Sequence, residues 1–411
     1  MTSRGHVPGF LLVMVLLALM AGCATIESRR GPTDTPVRSV QRDESAGVSP
    51  SATRARPPTS TRAPIRAPVR AAEGRALLEY LIPASVTDRA GWISDIYAAL
   101  ISLKIPQTVE NFCAVIATTE QESDFRADPS VPGLPDIAWR EIDKQSERIG
   151  MPKLVVQKAL QLQSSDGKSY SERLDTVQTE RQLSELFEDF IGRVPMGKTF
   201  FAARNPIRTG GPMQVSVGFA EKHITSKKYP YPVSGSLRHE VFTRRGGIYF
   251  GIAHLLDYPA SYDSPIYRFA DYNAGQYASR NAAFQNAVTL ASGTALTLDG
   301  DVLRYDHGQA VPQPSSTELA TRSLAARLDM SASEIRRDLE RGTTPDFERT
   351  RLYVRVFAIA DKLSGKPMPR AVLPSILLNS PKFTRKLTTE SYANRVAGRH
   401  RRCLARAAEI G

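Results

Sequence analysis

The sequence predicts a mainly α fold of the α+β kind, with one small β-hairpin. Three observations carry that prediction. Beyond about Gly74, apolar residues recur at three- and four-residue spacing in segment after segment. Alternation of period two is confined to the flanks of Asp299-Gly300. No longer period suggests stacked repeats.

Taken in order, Ala76-Leu77-Leu78-Tyr80-Leu81 and Trp92-Ile93-Ile96-Tyr97-Leu100 predict two short helices. Ile105-Pro106-Gln107-Thr108 punctuates them, and Thr108 is a helix N-cap with Asn111 three places on. The helix it opens runs from about Val109 to Glu122, with Phe112, Val115, Ile116 and Thr119 as its inward stripe. Helical runs follow at Leu154–Leu162 and Leu183–Ile191, inside an extended charged region of about 135–205. Residues 205–219 bear glycine and are apolar. Gly246–Leu256 is a helix pattern, and Ile266–Phe284 reads as one further helix. Ala295–Leu298 and Val302–Tyr305 alternate around an Asp-Gly turn, which predicts the hairpin. Ser316–Arg327, Ala332–Arg341 and Thr350–Leu363 close the pattern as helices.

The first residues decide how the charge is read. The chain has 411 residues and a net charge of +12, from 54 Lys+Arg against 42 Asp+Glu. Hydrophobic content of 41% and charged content of 23% are ordinary for a globular protein. Residues 1–22 have the three-part form of a secretory signal, with an apolar run shorter than the ~20 residues a bilayer requires. Leu19-Met20-Ala21-Gly22-Cys23 resembles a bacterial lipobox, which makes Cys23 the lipidated first residue of the mature chain. Ala24, where lipoproteins kept at the inner membrane resemble one another in having Asp, favours the outer membrane. The expected location is therefore that membrane, facing the periplasm, with exposure at the cell surface as the alternative. Residues 23–72 are Ser, Thr, Pro, Arg and Ala with almost no large apolar residue, a solvated tether. Export turns the basic charge toward anionic lipid or wall polymer and sets nucleic acid aside as a partner. Only Cys113 and Cys403 remain after lipidation. Cys113, between Phe112 and Ala114, reads as a free core thiol, with pairing in an oxidising periplasm as the alternative.

The chemistry is sought in carboxylates. A protonated carboxylic acid near neutral pH needs loss of water or the negative end of a helix dipole. Glu122 lies at such a helix end beside Val115; Glu120 lies on the opposite edge of the stripe beside Ile116. Periodicity does not choose between them.

Three ordered pieces do. Glu122-Ser123, then Gly210-Gly211-Pro212-Met213-Gln214, then Tyr272-Asn273-Ala274-Gly275 resemble the lytic transglycosylases of the lysozyme-like superfamily. The resemblance implies a lysozyme-like core over 73–411, with helical insertions at about 135–205 and 295–387. It implies that Glu122, directly before serine, is the single catalytic acid and base. That glutamate would protonate the oxygen leaving between N-acetylmuramic acid and N-acetylglucosamine. The substrate's acetamide would assist, and the same glutamate would then deprotonate the sugar's primary hydroxyl, leaving a 1,6-anhydro end. Ser123, Met213, Gln214, Tyr272 and Asn273 are the implied substrate-binding residues, with the Tyr272 hydroxyl approaching the glutamate. Thr388-Thr389-Glu390-Ser391-Tyr392 faintly resembles the family's closing Glu-Thr-Arg-x-Tyr-Val motif, which adds Tyr392 to the groove. Peptidoglycan glycan strands are the implied partner, and no cofactor is expected.

Two departures stand out. Pro212 replaces the family's leucine, and about ninety residues separate Glu122 from Gln214 where the family has a couple of dozen. The pattern also resembles a family of uncharacterised Gram-negative envelope lipoproteins of unknown function. A second expectation therefore stands beside the enzyme: a non-catalytic lipoprotein that binds wall polymer or serves a peptide-uptake complex. His223, His239, His254 and His307 do not stand at zinc-ligand spacing, so no metal is expected. No phosphate-binding glycine loop occurs.

Overall fold

The computed structural model describes residues 71–148, 150–193, 205–306, 309–378 and 387–410. The expected signal peptide, Cys23 and nearly all of the tether lie outside the described residues, as does His307. The tether's last two positions already belong to the first helix.

From that point the chain forms α1 (Ala71–Leu81), α2 (Arg89–Ser102) and α3 (Val109–Glu122). Next come α4 (Leu134–Arg148), α5 (Lys153–Leu160), α6 (Tyr170–Thr176) and α7 (Glu180–Gly192). Strands β1 (Thr209–Gly210) and β2 (Val215–Ser216) pair antiparallel, Gly210 opposite Val215, and bracket the Gly-Pro-Met-Gln turn. Helices α8 (Val217–Ser226), α9 (Leu237–Val241), α10 (Arg244–Leu256), α11 (Pro265–Ala274) and α12 (Ala278–Ser292) follow. A short pair, β3 (Tyr305–Asp306) and β4 (Gln309–Ala310), leads to α13 (Ser316–Arg322), α14 (Ala325–Leu328), α15 (Ala332–Leu339) and α16 (Arg351–Ser364). A third pair, β5 (Leu377–Leu378) with β6 (Leu387–Thr388), hands the chain to α17 (Thr389–Ala408). The protein is mainly helical with small antiparallel strand pairs.

Helix α3 is the centre. Thr108 Oγ1 accepts the N–H of Asn111 at 3.3 Å, as the sequence predicts for its N-cap. Every residue from Phe112 to Thr119 is buried, so the helix is enclosed on all sides. Two threonines survive there because their hydroxyls donate to carbonyls one turn back, Thr118 to Ala114 and Thr119 to Val115, each at 2.9 Å. The C-terminal helix α17 packs antiparallel beside it, and Cys113 is joined to Cys403 by a disulfide across 290 residues. This corrects the free-thiol expectation. Periodicity placed Cys113 in the core, but no local pattern reports a partner that far along the chain.

Three apolar cores result. The first gathers α1–α3, α8, α10, α11 and α17. The second holds α4–α7 together and also includes Ile207 and Phe242. Its helices α6 and α7 start in capping boxes, Ser169 with Glu172 and Thr179 with Gln182. The third begins within α12, at Ala283, and runs to Ala360 on α16 around Phe284, Phe347 and Phe357.

Two expectations need correction. The helix over 266–284 is two helices, α11 and α12, parted at Gly275-Gln276-Tyr277. Gly275 sits at φ +106° and Tyr277 at +68°. The fully buried Asp271 carboxylate accepts the N–H groups of Tyr277 at 3.0 Å and Ser279 at 2.6 Å, which starts α12 afresh. The hairpin is not at Asp299-Gly300. Asp299 and Gly300 do turn, with Gly300 at φ +84°. Their polar groups, however, are taken by two buried side chains of α12: Gln285 Nε2 donates to Asp299 Oδ1 at 2.7 Å, Gly300 N donates to Gln285 Oε1 at 2.8 Å, and Asn281 Nδ2 donates to the Gly300 carbonyl at 3.1 Å. Residues 295–298 and 302–304 do not pair as strands with each other, and pairing starts only at Tyr305, between β3 and β4.

Candidate active site

Four pieces of the first core converge: the end of α3, the β1–β2 turn, the end of α11 and the start of α17. Glu122 closes α3, half-buried, at the helix's negative end. Thr388 caps α17 by accepting the N–H of Ser391 at 3.1 Å, which sets Tyr392 on the first turn. From there the Tyr392 hydroxyl donates to Glu122 Oε1. Burial first, and then the charge of Glu122, push the Tyr392 phenol well above its ordinary pKa, so it stays a donor.

Tyr272 reaches the same place differently. Its hydroxyl donates to the Met213 carbonyl at 2.6 Å. Burial and then the charge of Glu122 raise this phenol as well. The resemblance implies a Tyr272 hydroxyl approaching the glutamate; the residue feels the charge of Glu122, but its hydroxyl bonds the turn, and the hydroxyl bonded to Glu122 is that of Tyr392. The Asn273 Oδ1 accepts from Thr389 Oγ1 at 2.9 Å, tying α11 to the start of α17.

The turn itself is positioned by missing side chains. A Cβ on Gly251 would lie 2.4 Å from Met213 Sδ, and one on Gly247 would lie 2.4 Å from Pro212 Cδ. These two glycines are one turn apart on α10, so the helix offers a flat face onto which Pro212-Met213 is pressed. Met213 is consequently fully buried, and its side chain does not face a groove. That corrects the expectation of Met213 as a substrate contact. Gln214 is half-buried at φ +49°, a left-handed backbone uncommon for such a residue, with its Nε2 3.4 Å from the Gly211 carbonyl.

Ser123 also departs from its expected role. It is buried, and its hydroxyl donates back to Thr119 O at 3.3 Å, so it stops the helix rather than facing a ligand. Beyond it Asp124 and Phe125 are both left-handed, at φ 52° and 56°. Consecutive non-glycine residues in that region carry backbone strain of about 1–3 kcal/mol each. The turn is held because Phe125 is buried edge-on against Trp92, ring centroids 5.2 Å apart.

Glu120 goes elsewhere. Its Oε2 lies 3.9 Å from Arg399 Nε on α17. Desolvation raises its carboxyl, opposed by Arg406, Arg399 and Arg402. The two glutamates that periodicity could not separate thus face a phenol and a row of arginines respectively.

His254 supports the site from beneath. Its Nε2 lies 3.2 Å from the Tyr272 carbonyl; since a carbonyl only accepts, the proton is on Nε2. Burial lowers this histidine to about 4. Sequence reasoning missed Thr389 and the role of Gly247; the four-residue spacing of Gly247 and Gly251 was the available signal. Among the described residues no cluster of His, Cys, Asp and Glu could hold a metal ion. No helix among them is long and apolar enough to cross a membrane.

Comparison with known proteins gives three findings. No solved structure matches the chain. Over 341 residues it is 54% identical to the "Uncharacterized protein YaiW" of Escherichia coli (strain K12), which spans 83% of this chain and 92% of that protein. A family model described as "Protein of unknown function (DUF1615)" matches residues 85–406, a span containing every candidate site residue but Cys23, and the chain belongs to that family.

Proposed function

We propose that the chain is a lipid-anchored murein lytic transglycosylase of the bacterial envelope, with a lysozyme-like core and Glu122 as both acid and base. The observation that carries this reading is the Tyr392 hydroxyl donating to Glu122 at the end of an enclosed helix. A glutamate so held keeps one oxygen oriented while the other serves the scissile bond. Protonation of the oxygen leaving N-acetylmuramic acid is the first half of the work. The acetamide of the same sugar covers the positive centre, and Glu122, now a carboxylate, takes the proton of the primary hydroxyl as the 1,6-anhydro ring closes. Substrate assistance dispenses with a second carboxylate. The Gln214 turn, clamped by Tyr272 through the Met213 carbonyl, is the wall of the glycan groove in this reading, with Asn273 bracing it.

The Cys113–Cys403 disulfide supports an oxidising compartment, since such bonds persist outside the cytosol. Lipidation at Cys23 would then hold the enzyme at the outer membrane, each buried methylene contributing about 0.8 kcal/mol. Metabolic labelling with a fatty acid tests this: label should be incorporated by the native chain and lost in Cys23→Ala.

The activity is tested by digesting purified sacculi with the soluble chain lacking residues 1–23, beside Glu122→Gln. Mass spectrometry should find 1,6-anhydromuramic ends with the first protein and none with the second. Sedimentation of both proteins with sacculi and no product from either would leave a binding lipoprotein and remove the enzyme.

A further inference from the structure

Helix α17 carries arginine at 395, 399, 402 and 406. Steps of four, three and four keep them on one stripe, about 16 Å long at 1.5 Å per residue. The stripe starts one turn beyond Tyr392, and the charge of Arg395 reaches that phenol. Its other three members gather around Glu120, whose carboxylate is the one group within ion-pair distance of the stripe among the described residues. Burial raises the pKa of even that carboxyl above its ordinary value. Arg402 is exposed, the other three are half-buried, and Arg406 Nε is a buried donor with no hydrogen-bond partner.

Helix stability does not account for this. Like charges three or four apart on a helix oppose it by about 0.2–0.5 kcal/mol per pair. The helix dipole favours a cation in the last turn, which covers Arg406 and none of the others. A row of cations left short of anions, running away from a candidate glycan site, fits a ligand that brings anions of its own.

We propose that Arg395, Arg399, Arg402 and Arg406 form a strip that binds the carboxylates of the stem peptide attached to the muramoyl residue beside Glu122. This rests on the reading of Glu122 as a glycan site. The backbone sugars of the polymer are uncharged, so its anions are the carboxylates of its peptides. An extended peptide advances about 3.3 Å per residue, so roughly five residues match the strip. Guanidinium groups suit the task because their planar fork meets a carboxylate with two parallel hydrogen bonds. The strip would select glycan that still bears its peptides over denuded strands.

The experiment uses the full chain in detergent and two fluorescent probes that it cannot turn over. One is the 1,6-anhydro disaccharide carrying its tetrapeptide, the other the same disaccharide without peptide. The first should bind about tenfold tighter, the effect of one or two charge-assisted hydrogen bonds. Arg402→Gln with Arg406→Gln should shrink that advantage to about twofold and leave the peptide-free probe unchanged. Single Arg402→Gln, at an exposed side chain, gives the same direction should the double variant melt early. Equal affinity for the two probes, or an advantage the variants do not alter, overturns the strip while leaving the glycan reading in place. Binding of neither probe overturns both. Phosphatidylglycerol vesicles, offered without detergent to the soluble chain lacking residues 1–23, form the last arm: loss of vesicle binding in the variants with an intact peptide advantage would assign the strip to lipid phosphate instead.

Discussion

Removing one oxygen from Tyr392 tests the proposed acid most directly. Tyr392→Phe keeps the ring and its packing and deletes the donor to Glu122. A hydrogen bond to a charged group contributes about 1.5–3 kcal/mol, so product release should slow about 10- to 100-fold with little change in melting temperature. A rate within twofold of the native chain would show that the phenol does not serve the glutamate. Tyr272→Phe should behave in the opposite sense, losing the clamp on Met213 and about 1 kcal/mol of stability, read by denaturant unfolding. His254 supplies a pH signature. Its pKa is about 4 in the folded chain, while an unfolded histidine titrates near ~6.5. Below that higher value the unfolded state takes up a proton that the folded state refuses. Stability is therefore complete above about pH 6.5 and falls as pH drops toward about 4, by about 3 kcal/mol in all. His223 and His400, also lowered by burial, act in the same direction. The slope of unfolding free energy against pH should flatten in His254→Gln; an unchanged slope would mean that other groups carry it.

At the scale of elements, the informative contact is the Gly247–Gly251 face of α10 against Pro212-Met213. Gly251→Ala should improve helix propensity yet force the turn away, because the new methyl would overlap Met213 Sδ. Overpacking of this kind destabilises by about 1–3 kcal/mol, and the displaced Gln214 should lower activity further. A melting temperature at or above the native value would contradict the close packing. Parts of this arrangement were legible. Thr108 marked the start of α3, and Gly-Gly-Pro announced the turn before β2. The end of α3 at Glu122 was legible too, but the turn beyond it was not, because Asp124 and Phe125 adopt a left-handed backbone without the glycine that signals it. Tyr277 hid the break between α11 and α12 in the same way. The misplaced hairpin has a related cause: Gln285 and Asn281 engage the polar groups of 299–300 from the preceding helix, and nothing local in the sequence shows it.

For the whole molecule the Cys113–Cys403 bond is the main long-range constraint. It joins the helix bearing Glu122 to the helix bearing Tyr392. Loss of such a cross-link typically costs about 2–5 kcal/mol. Cys113→Ala with Cys403→Ala should lower the denaturant midpoint accordingly, and the Glu122–Tyr392 register should loosen with it. A double variant as stable as the native chain would assign the bond no structural role. The second and third cores, by contrast, lie apart from this staple, so their own unfolding should be insensitive to reduction.

What the sequence determined alone was local. Helical periodicity, the capping threonine, the turn glycines and the order of three short motifs are read over a few residues, and they sufficed for a mainly helical chain and for a short set of site candidates. Periodicity left Glu120 and Glu122 alike and the motif resemblance pointed to Glu122; only the tertiary structure shows what α17 brings to each from some 270 residues away, arginines to Glu120 and Tyr392 to Glu122. It likewise turned Met213 inward, set the Tyr392 hydroxyl on Glu122 and that of Tyr272 on the Met213 carbonyl, and closed the disulfide. Each of these depends on which surfaces helices bury against one another, and a one-dimensional pattern records the face that is buried but not the partner that covers it.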